Sequence, residues 1–187
     1  MEETNLLTLE EGQSLVRLAR HTLEVRIGQK KEKAPSVDPR LNEPGATFVT
    51  LSVRGALRGC IGTPEAHSTL AEDVQANAIR AATMDPRFPP VSAGELEGIE
   101  IEVSVLTRPQ LLDCPPKERP DRIQPGVDGL LLVSDYHRGL LLPQVWDKIP
   151  RAEDFLDVLC RKAGLSPTDW KRTDTKLYTF QVQAFHQ

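Results

Sequence analysis

At 187 residues the chain is long enough to bury a core without disulfides or metal, and one domain over residues 1–187 is the expectation. Lys and Arg number 23 against 27 Asp and Glu, a formal charge of −4. The basic residues are scattered rather than gathered into a stripe, which disfavours nucleic acid as a partner. The start Met1-Glu2-Glu3-Thr4-Asn5 shows no basic and apolar leader, and no stretch reaches the length of a membrane span. Three cysteines set tens of residues apart make neither a disulfide framework nor a metal knuckle. Together these features predict a cytoplasmic protein with reduced thiols.

Thr8-Leu9-Glu10-Glu11 reads as a capping box opening a helix. Leu15, Ala19, Leu23 and Ile27 give that helix one apolar stripe, and Gly28 is placed to end it in a left-handed cap. A polar loop to Pro44 follows. From Ala46 to Thr63 the period changes to two, with a tight turn at Arg54-Gly55, so a β-hairpin is predicted. On its second strand the alternation puts Leu57, Gly59 and Ile61 on one face and Arg58, Cys60 and Gly62 on the other.

Thr69 to Met84 carries Leu70, Val74, Ala78 and Ala81 at helical spacing and is stopped by Asp85-Pro86. Ser92 to Glu95 can cap a single turn before Gly98 to Thr107, where Ile99, Ile101, Val103 and Val105 alternate with Glu100, Glu102 and Ser104 as a strand. Five prolines between Arg108 and Gly126 exclude a helix or a central strand and predict a surface flap at about 108–127, not a domain boundary. Leu130–Val133 and Leu140–Leu142 form a second, apolar hairpin around Ser134 to Gly139. Arg151 to Ala163 is a helix with Phe155, Leu156, Leu159 and Ala163 inward, closed by a Schellman ending at Gly164-Leu165. Thr175 to Phe185 is the last strand. Hairpin, helix and strand thus recur twice, a duplicated α+β arrangement.

A thiol flanked by glycines is the most suggestive chemical feature. Without Cβ atoms at Gly59 and Gly62, a substrate or another backbone can come close to Cys60; the same residue also reads as a small buried hydrophobe. With Arg58 about 6.5 Å away on the same face, a charge interaction of about 2.5 kcal/mol lowers the thiol pKa from about 8.5 to no less than about 6.5. His67 is a candidate base or an exposed loop residue. Glu100 and Glu102 are candidate general acid and base, or ion-pair partners of Arg58 and Arg87. Asp85 and Arg87 either grip an anionic ligand or, for Asp85, cap backbone after the helix. Gln144 projects toward the same cleft if the two hairpins are related by duplication. Cys160 reads as core and Cys114 as exposed. The four His are too dispersed for a metal-ligand set, and no cofactor is implied.

Leu57-Arg58-Gly59-Cys60-Ile61-Gly62-Thr63, Asp85-Pro86-Arg87-Phe88-Pro89-Pro90, Val103-Ser104-Val105-Leu106 and Leu141-Leu142-Pro143-Gln144-Val145 resemble the AMME chromosomal-region protein family. Phe155-Leu156 and Lys162-Ala163-Gly164-Leu165 follow in the family's order, so the resemblance spans nearly the whole chain. It implies two repeats around one curved, barrel-like mixed sheet. The microbial members resemble component A of a three-part system (AmmeMemoRadiSam) with a Memo-like protein and a radical S-adenosylmethionine (radical SAM) enzyme. Two functions follow: an enzyme or enzyme component using the Arg58 to Gly62 segment on an anionic small molecule, through a cysteine-dependent hydrolase, transferase or redox step, or a noncatalytic scaffold for such partners.

Overall fold

The computed structural model describes residues 6–187, so the leader reading of Met1 to Asn5 lies outside the described residues. The chain packs as two compact units, one running to Leu106 and taking back Gln183–Gln187, the other comprising Thr107–Val182. The division falls where the proline-rich segment begins.

In the first unit, helix α1 (Leu9–Arg26) opens with the expected box: the Thr8 hydroxyl accepts from the Glu11 backbone N–H, and the Glu11 side chain accepts from the Thr8 N–H. Its far end differs from expectation. Gln29, at φ 56°, takes the left-handed position, while Gly28 is required because a Cβ there would press on the Glu24 carbonyl. A 3-10 turn at Pro39–Asn42 buries Leu41. Strands β1 (Pro44–Val53) and β2 (Ala56–Gly62) then form the hairpin, turning through Arg54 and Gly55, both at positive φ. The short strand β3 (Ser68–Thr69) leads into α2 (Leu70–Thr83), which has its own capping box between Thr69 and Glu72. Strand β4 (Ile99–Leu106) lies antiparallel beside β1.

Leu15, Leu23, Val49, Leu51, Val74, Ala78, Ile101 and Val103 belong to one core, in which α1 and α2 cover a single face of this sheet. Two polar side chains of α2 are tied into that core. The Thr47 N–H and hydroxyl both donate to Asp73, and the Asn77 amide donates to the Thr47 carbonyl and to the Thr63 hydroxyl.

The second unit carries β5 (Gln110–Leu111), the short helix α3 (Arg119–Arg122), β6 (Gly129–Ser134), β7 (His137–Leu141), α4 (Ala152–Lys162) and β8 (Lys176–Phe180). Its sheet runs β5-β8-β6-β7, antiparallel throughout. The hairpin is tighter than predicted: Ser134 faces His137 across a two-residue turn, Asp135-Tyr136. Phe155, Leu156 and Leu159 of α4 form a separate core with Leu130, Leu132 and Leu177, and Trp146 stacks on Phe155 at 3.7 Å. The Schellman ending of α4 is as expected, with Gly164 at φ 78° and the Leu165 N–H donating to the Cys160 carbonyl at 2.9 Å.

The α+β class is as predicted, but the strands form two sheets rather than one barrel-like mixed sheet. The last strand shows why. It divides at Gln181, whose N–H donates to the Thr107 hydroxyl while its carbonyl accepts from the Thr107 N–H. β8 stays in the second sheet, and β9 (Val182–His186) flanks β4 in the first. The proline-rich segment, expected to hold no helix, carries β5 and the one-turn helix α3, where Pro120 sits in the first turn and needs no backbone donor, and its Arg119 is buried. No described helix is long and apolar enough to cross a membrane.

Candidate functional site

Cys60 sits on β2, the edge strand of the first sheet, opposite Thr50 of β1. Its backbone points away from β1. The N–H donates to Asp85 Oδ2 at 2.8 Å, and the carbonyl accepts from Arg87 Nη2 at 3.4 Å. Cys60 and Thr50 therefore form a pair without mutual backbone bonds, the kind in which facing side chains come closest. Accordingly the Thr50 hydroxyl donates to Cys60 Sγ at 3.2 Å. The sulfur is half-buried, on the sheet face opposite the helices.

Asp85 and Arg87 act as a substitute strand for this edge. The buried Asp85 carboxylate accepts from Arg87 Nε at 2.9 Å and Nη2 at 2.6 Å, and also from the Arg87 N–H. These bonds, above all those from the guanidinium, hold the Asp85 carboxyl far below the usual carboxylate range. Asp85 thus caps backbone, and Arg87, 54% exposed, is already held by a carboxylate.

Arg58 is placed by a β-bulge. Leu51 pairs with Gly59 and Ser52 with Leu57, so Arg58 has no partner on β1. The predicted alternation fails at this step: Leu57 crosses to the exposed face, and Arg58 turns to the Asp85–Glu95 segment instead of following Cys60. Arg58 Nε donates to Glu95 Oε1 at 2.8 Å with 13% of the side chain exposed, and its Nη1 is buried without a partner. The Arg58 bond, with help from the Ser92 N–H and hydroxyl, draws the Glu95 carboxyl down to about 2. The guanidiniums of Arg58 and Arg87 lie 5.9 and 5.7 Å from the Phe88 ring centroid, within cation–π range.

The two glycines have packing roles here. A Cβ on Gly59 would collide with the Ala81 carbonyl of α2, and one on Gly62 would enter the Phe48 ring. Gly59 therefore lets another backbone, not a ligand, come close.

Glu102 lies in the same cross-strand row as Thr50 and Cys60, with Thr50 between them. Two strand spacings put it about 9.6 Å from the cysteine's backbone. It accepts from the Ser104 hydroxyl at 3.1 Å and lies 3.5 Å from His186 Nδ1. Glu100 accepts from Ser52 at 3.4 Å. Arg58 and Arg87 pair with Glu95 and Asp85, not with the two β4 glutamates. His67 is exposed. Gln144 is exposed on a 3-10 turn of the second unit, Pro143–Asp147. Cys160 is core, where burial pushes its thiol pKa up. Cys114 is half-buried rather than exposed.

Sequence reasoning missed Thr50, Phe88 and Glu95 as neighbours of this site. Glu95 was legible only as the third residue of a capping box, and Thr50 only once the hairpin register was known.

The AMMECR1 family model matches residues 16–185 of the chain. A protein of Thermococcus onnurineus is 46% identical over 188 residues, covering 94% of this chain and 90% of its own length. One from Methanothermobacter thermautotrophicus is 44% identical over 189 residues, 97% of this chain and 96% of that one. The crystal structure of uncharacterized protein PH0010 from Pyrococcus horikoshii superposes with a TM-score of 0.82 at 42% identity, covering 95% of this chain and 92% of that one.

Proposed function

This chain belongs to the AMMECR1 family, and we propose that it serves as a cytoplasmic enzyme or enzyme component in which Cys60 is the working group. One observation carries this reading: the backbone of Cys60 is clamped by Asp85 and Arg87 while its half-buried sulfur receives a hydrogen bond from Thr50. A thiol held so firmly on a sheet edge is positioned, and positioning is a large part of covalent catalysis. The step is a displacement on an anionic small molecule. The Sγ–H bond breaks with its proton passing to solvent, sulfur bonds to the electrophilic centre, and the leaving group departs with its electron pair. Arg87, exposed beside Cys60, supplies positive charge, and Memo-like and radical SAM proteins are the partners in the cell.

Peptide-resolved iodoacetamide labelling at neutral pH, with Cys60→Ser complementation in a cell that depends on the protein, tests it. Cys60 should label faster than Cys160, and the serine variant should lose at least about tenfold in function. A slow Cys60 with full complementation removes the proposal.

A noncatalytic scaffold is the second reading, favoured by one observation: both arginines near Cys60 already have internal carboxylates. Pull-down of the Cys60→Ser protein separates the two. Undiminished retention of stoichiometric partners with full function supports the scaffold, and loss of function with retained partners supports the thiol.

A further inference from the structure

The proline-rich segment and the start of β8 line an open cavity of about 420 Å³ in the second unit, well away in sequence from Cys60. That volume lies within the range of small-molecule sites. Leu111, 52% exposed, and Leu112 supply apolar wall, and Cys114, Lys176 and Asp113 supply polar groups.

Arg119 also lines this cavity, and only 5% of it is exposed. Its Nη1 donates to the carbonyls of Trp170 and Arg172, and its Nη2 donates to that of Thr175 at 2.6 Å. A guanidinium has five N–H donors. Three bonds leave the Nε–H and one Nη2–H without acceptors, and Nε is fully buried. Among the described residues no carboxylate pairs with it, so the charge is balanced by carbonyl dipoles alone. A buried cation in that condition is costly, and burial accordingly pulls its pKa below the ordinary arginine value.

We propose that this cavity is a binding site for a small molecule with an oxyanion head and a short apolar body, the head neutralising Arg119 and Lys176 and the body lying on Leu111 and Leu112. The planar donor set of arginine suits a carboxylate or a phosphate ester equally. Cys114 lies in the wall and reports occupancy, because a bound molecule shields its thiol from alkylating reagents.

The test is the rate of Cys114 alkylation in the full chain, followed peptide by peptide at matched ionic strength with butyrate, inorganic phosphate or uncharged butyramide at millimolar concentration. Protection by an anion but not by butyramide, with Cys60 labelling unchanged, is the expected result. Butyrate alone protecting identifies a carboxylate head, and phosphate alone a phosphate head. Lys176→Gln, an exposed position, should weaken protection about threefold, and a folded Arg119→Lys about tenfold or more. Equal protection by butyramide, no protection by either anion, or Lys176→Gln protected as well as the parent protein overturns the proposal. Should Arg119→Lys not fold, the Lys176→Gln variant still decides the matter.

Discussion

Glu95 accepts three bonds, one from the Arg58 guanidinium and two from the Ser92 backbone and hydroxyl. They lower its carboxyl from an ordinary value of 4.5 to about 2 in the folded protein. The unfolded chain therefore binds a proton at this residue near 4.5 and the folded chain only near 2. Linkage makes the Glu95 contribution complete above 4.5 and lost as the pH falls toward 2. Glu95→Gln should flatten the acid limb of a plot of Tm against pH in that window while leaving the neutral limb parallel. Thermal unfolding followed by circular dichroism measures this, and an acid limb as steep as that of the parent protein contradicts it. The pairing of Arg58 with Glu95 is a residue-scale fact that no spacing rule contained, because Glu95 reads locally as a capping residue and its second partner is 37 positions away.

At the scale of elements, β2 and α2 meet at Gly59, where a methyl group would strike the Ala81 backbone rather than a side chain that can turn aside. Gly59→Ala should cost about 2 kcal/mol or more by forcing the helix away from the sheet. Gly94→Ala, where nothing lies within 4 Å of the added carbon, should stay within about 0.5 kcal/mol of the parent. Urea midpoints for the two variants measure the difference, and equal midpoints would refute this account of the packing. The same strand shows where periodicity fails. A bulge between Leu57 and Gly59 breaks the count of two, so face assignments made from Ile61 are valid back to Gly59 and invalid beyond it.

Across the whole molecule, each unit has its own buried cluster, and the chain passes between the units at Leu106–Thr107 and again at Val182–Gln183. Phe155 is fully buried in the second cluster and stacked on Trp146. Phe155→Ala should destabilise that unit by about 3–5 kcal/mol. Amide hydrogen exchange should then quicken through residues 107–182 well before it does in β1 and β4. Uniform acceleration over both clusters would show a single cooperative unit instead.

The sequence by itself determined helices α1, α2 and α4, the capping box of α1, both hairpins, the β4 strand, the Schellman ending of α4, the α+β class and the family. These depend on interactions within a few residues, such as Thr8 with Glu11, or on an unbroken period of two or nearly four. Only the tertiary structure decided that the strands divide into two sheets, that Gly59 makes room for a helix, and that Arg58 and Arg87 pair with Glu95 and Asp85. It alone revealed the buried, unbalanced charge of Arg119. Each of these depends on which distant residue completes a hydrogen bond or fills a space, and that partner is selected by packing rather than by sequence spacing.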